Sequence, residues 1–125
     1  MNRRALLAVL AVLPAFTALA HGLAPAAAHG GVMAETSNDH WVELVVRDGQ
    51  LVVYVTDPEF KPVPSAQLGG KATVLVGGKR EEVTLAPSEA NTVTGKLAAP
   101  VSGKITAVLA LTIGGKPATV RFAVG

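Results

Sequence analysis

The 125 residues carry 11 Lys plus Arg against 9 Asp plus Glu, half of the chain is hydrophobic, and cysteine is absent. Without cysteine there is no disulfide, no thiolate metal site and no cysteine nucleophile. Arg3 and Arg4 lie in the N-terminal segment described next; without them nine basic residues face nine acidic ones, so nothing points to a nucleic-acid partner.

Met1-Asn2-Arg3-Arg4 is a short basic head, Ala5 to Leu13 is an unbroken apolar run, and Pro14 begins a small-residue stretch ending at Ala20. That order predicts a secretory signal peptide over 1–20 and a periplasmic location. The run falls short of the ~20 residues a spanning helix needs, so no membrane span is expected after cleavage. Two sites satisfy the small-x-small rule: Ala18-Leu19-Ala20 before His21 and Ala26-Ala27-Ala28 before His29. The first gives the more ordinary signal length and is preferred; the second is the alternative. On the first reading, 21–40 is a flexible His-containing leader and 41–125 is the folded domain.

From Trp41 onward strands and turns alternate. Trp41 to Arg47 and Gln50 to Thr56 flank Asp48-Gly49, a two-residue hairpin signal. Asp57 to Ser65 holds Pro58, Pro62 and Pro64, which bars a central strand. Lys71 to Val76 and Arg80 to Leu85 flank Gly77-Gly78-Lys79, a second hairpin. Thr92 to Leu97 reads as a short strand. Ile105 to Thr112 and Ala118 to Val124 form the third hairpin around Gly114-Gly115-Lys116. In the last strand Ala118, Val120, Phe122 and Val124 alternate with Thr119, Arg121 and Ala123, a period of two. About seven short strands with regular turn signals predict an all-β fold, a small antiparallel immunoglobulin-like β-sandwich, with a small barrel as the alternative. The Gly-Gly-Lys turns lack the spacing of a phosphate loop.

All three histidines lie between His21 and His40, in a stretch that also holds Met33, Glu35, Asp39 and Trp41. Cleavage at either site makes a histidine the first residue, setting an imidazole (pKa near ~6.5) beside an α-amine (near ~8). Imidazole suits copper, zinc and nickel, and a thioether adds preference for Cu(I). His29, His40, His21 and Met33 are therefore the candidate metal ligands, with copper the first choice and zinc the second, and Trp41 a ring that can cover a cation. Each also has a structural reading: His21 and His29 as polar residues of a disordered N-terminal tail, Met33 as a hydrophobe pinning the leader, Trp41 packing over the end of the sandwich, His40 as a surface residue at a strand start. Catalysis is not expected. Ser65, Ser88 and Ser102 come with no nucleophile elbow, and Glu81 and Glu82, adjacent on a strand, point to opposite faces.

His29-Gly30-Gly31, Glu35, Glu43-Leu44-Val45, Asp48-Gly49, Tyr54-Val55-Thr56-Asp57, Lys61-Pro62-Val63 and Lys79-Arg80-Glu81 follow one another in an order that resembles a known family. It is similar to the small periplasmic domains that occur alone, or at the N-terminus of adaptor subunits, in bacterial heavy-metal efflux systems of the RND type. A second likeness is to periplasmic copper-resistance β-sandwich proteins with a histidine at the mature N-terminus. The resemblance implies a β-rich domain that binds or relays copper, zinc or cobalt, with His29 and His40 as ligands and an adaptor or efflux-pump subunit as partner. The competing expectation is a metal-free module for protein contacts in the cell envelope, presenting Phe60 on the Pro-rich loop.

Overall fold

A computed structural model describes residues 24–98, 101 and 103–124. The signal segment expected over 1–20, and His21, lie outside the described residues. Eight antiparallel strands form one sheet: β1 Val32–Glu35, β2 Trp41–Arg47, β3 Gln50–Thr56, β4 Leu68–Val76, β5 Lys79–Pro87, β6 Thr92–Lys96, β7 Ile105–Ile113 and β8 Lys116–Val124. Their order is β1-β2-β3-β6-β5-β4-β7-β8. The described residues contain no α-helix, only a 3-10 turn at Ser65–Gln67, and no helix long and apolar enough to cross a membrane.

Hairpin chemistry sets most of this order. Asp48 and Gly49, Gly77 and Gly78, and Gly114 and Gly115 all have positive φ, the paired left-handed conformation whose twist matches that of the flanking strands. The alternating inward side chains then fill the interior: Val42 and Leu44 from β2, Leu51, Val53 and Val55 from β3, and Leu109 and Phe122 from β7 and β8 are all buried.

The all-β, antiparallel expectation stands, but the architecture is barrel-like rather than a clear two-sheet immunoglobulin-like sandwich, and the strands among the described residues number eight. Three features make the difference. Val32–Glu35, within the stretch read as leader, adds β1 beside β2. At the β5–β6 corner, where a sandwich would have a gap, Ala86 pairs with Thr94 and Pro87 with Val93. Gly95 permits that approach, since a Cβ there would lie 2.4 Å from Val83 Cγ1 and 2.7 Å from the Thr84 carbonyl. On the other side the sheet edges meet at one point: the Ser37 N–H donates to the Thr119 carbonyl at 3.0 Å, and the Thr119 N–H to Ser37 Oγ at 3.1 Å.

Candidate functional site

Because strand side chains alternate, Trp41, Glu43 and Val45 face away from the interior that Val42 and Leu44 fill. Cross-strand register aligns the same outer face of three strands. Met33, Glu43 and Tyr54 stand in one row, and Glu35, Trp41 and Thr56 in the next. An outer face of this kind would ordinarily be wet, yet Glu43 and Val45 are only 4% and 7% exposed. The chain preceding β1 covers them. Gly31 lies so close to β2 that a Cβ on it would meet the Leu44 carbonyl oxygen at 2.3 Å.

Glu43 is what the leader is fastened to. One carboxylate oxygen, Oε2, accepts the backbone N–H groups of His29 and Gly31, both at 2.8 Å. The other, Oε1, lies 2.9 Å from His29 Nδ1. A carboxylate only accepts, so Nδ1 carries the proton of that bond. The His29 ring also stacks on Tyr54, with centroids 3.7 Å apart and planes 3° from parallel. Burial raises the Glu43 pKa. The hydrogen bonds from the His29 ring and from the Gly31 and His29 amides, with the charge of His29, more than offset this and leave it below its ordinary value. Among the described residues the only other salt bridge is the exposed Arg80–Glu82 pair.

Beside this anchor opens a cavity of about 250 Å³, walled by Pro25, Ala26, Ala28 and His29 of the leader and by Met33, Trp41, Glu43, Tyr54, Thr56, Phe60 and Asn91. The chain has five Phe, Trp and Tyr residues. Phe16 lies in the expected signal segment and Phe122 in the core; the other three all line this cavity. Phe60 reaches it from the loop after β3, where Asp57 Oδ1 accepts the N–H groups of Glu59 and Lys61 at 2.8 and 2.9 Å. That turn forces Phe60 to φ 66° and leaves it 55% exposed, its ring 6.3 Å from that of Trp41.

Of the candidate ligands, His29 and Met33 therefore share one cavity. His40 does not line it. It closes the β1–β2 turn, its N–H donating to Thr36 Oγ1 at 3.0 Å and its Nδ1 lying 3.2 Å from the Asn38 carbonyl. Asp39, in the same turn, has φ 68°, and Glu35 is exposed on β1. No group of three or more His, Cys, Asp or Glu side chains gathers among the described residues. Two contributors, Glu43 and Tyr54, were not among the candidates read from sequence. The available signal was Trp41 and Val45 alternating with Glu43 on the outer face of β2, since apolar residues on that face announce a cover. Comparison of the chain with protein-family models, with curated proteins and with solved structures gave no match.

Proposed function

We propose that the chain is an exported periplasmic protein that holds one exchangeable transition-metal ion at the His29–Glu43 corner of the cavity and passes it to an adaptor or pump subunit of a metal-efflux system. Copper is the first choice, with zinc or cobalt next. The observation that carries the reading is the 2.9 Å separation of His29 Nδ1 and Glu43 Oε1, now bridged by a proton. Two donors each ~2.0–2.1 Å from one ion, in cis positions, stand about 2.9 Å apart. The spacing of the two donors therefore already suits one ion in place of that proton. Met33 in the same cavity offers a thioether to Cu(I), and the rings of Trp41 and Tyr54 offer cation–π faces. So few donors, one of them on a covering segment, suit transfer rather than permanent retention.

Native mass spectrometry in the presence of one equivalent each of copper and zinc tests this. A single adduct is expected on the wild-type chain, absent from His29→Ala and weakened in Met33→Leu when copper is supplied as Cu(I). A bare wild-type protein overturns the reading. A second reading, a metal-free module for protein contacts, draws on Phe60, an exposed ring held at positive φ on the rim of the same cavity. In that case Phe60→Ala loses a partner complex while His29→Ala keeps it.

A further inference from the structure

We infer that the chain associates with itself head to tail: Phe60 of one copy seats in a pocket beside Leu75 and Val124 at the far end of the next. The inference involves no ion and stands apart from the metal reading. Among the described residues only two large hydrophobic side chains are exposed, Phe60 at 55% and Leu75 at 44%. Strand register sets them at opposite ends of the barrel. The turn after β1, the loop after β3 that carries Phe60, and the β5–β6 and β7–β8 turns form one end. The β2–β3 and β4–β5 turns, with Ile105 of β7 and Val124 of β8, form the other. The nine residues of β7 and β8 separate the two ends by roughly 30 Å. Leu75 faces outward in one row with Arg80, Thr106 and Ala123. Against that row Lys104, Ile105, Thr106, Ala123 and Val124 wall a cavity of about 220 Å³. A cavity of roughly 150 Å³ already holds a benzene ring, so the Phe60 ring can enter this one.

Charge divides the same two ends and names a second copy as the occupant. The Phe60 end carries Glu35, Asp39, Asp57, Glu59 and Glu89 against Lys61 and Lys116. The Leu75 end carries Arg47, Lys79, Arg80, Lys96 and Lys104 against Asp48, Glu81 and Glu82. Like ends repel and unlike ends attract, which steers two copies into one orientation. Seating the ring brings Asp57 and Glu59, its neighbours in the loop, toward Lys104 and Arg80 at the pocket. The loop is already set, because Asp57 Oδ1 accepts the N–H groups of Glu59 and Lys61, so little freedom is lost on docking. No copy can fill its own pocket from the opposite end. The contact is therefore heterologous, leaves one ring and one pocket free in every pair, and adds copies in a file.

The test is sedimentation velocity of the full chain over a range of concentrations, at low and high salt, with EDTA present to exclude bridging metal. The wild-type coefficient is expected to rise with concentration, and salt to weaken the association roughly tenfold. Phe60→Asn, which accepts the positive φ, and Leu75→Glu, which sets a carboxylate against the incoming acidic loop, should each weaken it roughly 30-fold. Urea midpoints identify folded variants, and Lys104→Glu replaces Leu75→Glu should the latter fail to fold. The N-terminal segment is the same in every chain compared, so association through it does not respond to these substitutions. An equimolar mixture of the two variants is expected to regain a complex that stops at two copies, since one intact ring and one intact pocket remain. A wild type that stays monomeric overturns the inference, and so does association that neither variant weakens. A mixture no better than its parts overturns it in favour of like ends pairing. A monomeric chain that binds phosphatidylglycerol vesicles through Leu75 overturns it by giving the basic end to a membrane.

Discussion

Replacing Glu43 by glutamine keeps the shape of the side chain and removes its charge. The carboxylate now accepts three N–H groups: the His29 and Gly31 amides at 2.8 Å and His29 Nδ1 at 2.9 Å. Glutamine can turn its oxygen to the two amides and its NH₂ to Nδ1, provided the imidazole moves its proton to Nε2. Every partner stays satisfied, so only the charge assistance is lost. Hydrogen bonds to charged groups are worth ~1.5–3 kcal/mol against ~0.5–1.5 for neutral ones. With His29 43% exposed, the Nδ1 contribution is discounted, and a net loss of about 1–2 kcal/mol remains for Glu43→Gln. The pH dependence fixes the sign. The carboxyl of Glu43 is depressed in the folded protein, so its contribution is present above the unfolded value of ~4.3 and disappears as pH falls through the folded value. Urea midpoints should therefore separate wild type from Glu43→Gln at pH 7 and converge toward pH 3. Hydrogen exchange at the Gly31 amide should be faster in the variant at neutral pH. Equal midpoints at pH 7, or a gap that persists unchanged into acid, would refute the network as the fastening of the leader.

Three other substitutions probe the frame around the site. Gly31→Ala puts a Cβ 2.3 Å from the Leu44 carbonyl, which is backbone and cannot yield, so the leader must lift. Metal binding should be lost, while hydrogen exchange in the barrel strands stays at its wild-type rate. Gly95→Ala drives a methyl against Val83 Cγ1 and the Thr84 carbonyl at the β5–β6 corner, and a loss of about 1–3 kcal/mol is expected in urea titration. Phe60→Gly relieves a positive φ, worth roughly 1–2 kcal/mol, but gives up the contact with Trp41. Stability should change by less than about 1 kcal/mol, the Trp41 emission should shift to longer wavelength, and a partner complex that depends on the ring should fail.

How much of this was legible in the chain depends on whether a feature is local. Asp48-Gly49 demands two left-handed residues in a row, and β2 and β3 begin and end at the residues expected on either side of it. Gly77-Gly78 and Gly114-Gly115 place the other hairpins too, but the strands run further than expected: Lys79 and Lys116, read as turn residues, open β5 and β8, and β4 begins at Leu68. Ring closure is decided elsewhere, by the meeting of Ser37 with Thr119, far apart in sequence, which no local pattern announces. β1 falls between these cases. Its four residues are too short for a periodic signal, yet Thr36-Ser37-Asn38-Asp39 after them is a polar turn cluster. Thr36 is buried there because its hydroxyl both donates to Asn38 Oδ1 at 2.5 Å and accepts from the His40 N–H. His40, read as a ligand, stands in this turn for the same reason: its N–H and Nδ1 are held by Thr36 and Asn38.

The position of Glu43 shows why a site outside the barrel is harder to read than a core and easier to change. A carboxylate alternating with valine and leucine on a strand looks like the wet face of a hairpin; Trp41 and Val45 on that face announce a cover, but nothing within β2 says which segment supplies it. Once covered, the carboxylate needs donors, because a buried charge without them is costly. His29 and Gly31 supply donors from backbone and ring together, and the glycine is there because no larger residue fits against Leu44. The hydrogen bonding that makes Glu43 tolerable is thus the same that presents two nitrogens of His29 to it. None of these groups belongs to the inward face on which Leu44, Val53 and Phe122 pack, so His29 and Met33 can be exchanged for other donors without disturbing the interior. A cover fastened by one carboxylate can also open locally while the barrel stays folded, since local openings range far below the global unfolding free energy. If the proposed ion is held at this corner, its release requires the leader to move, and not the fold.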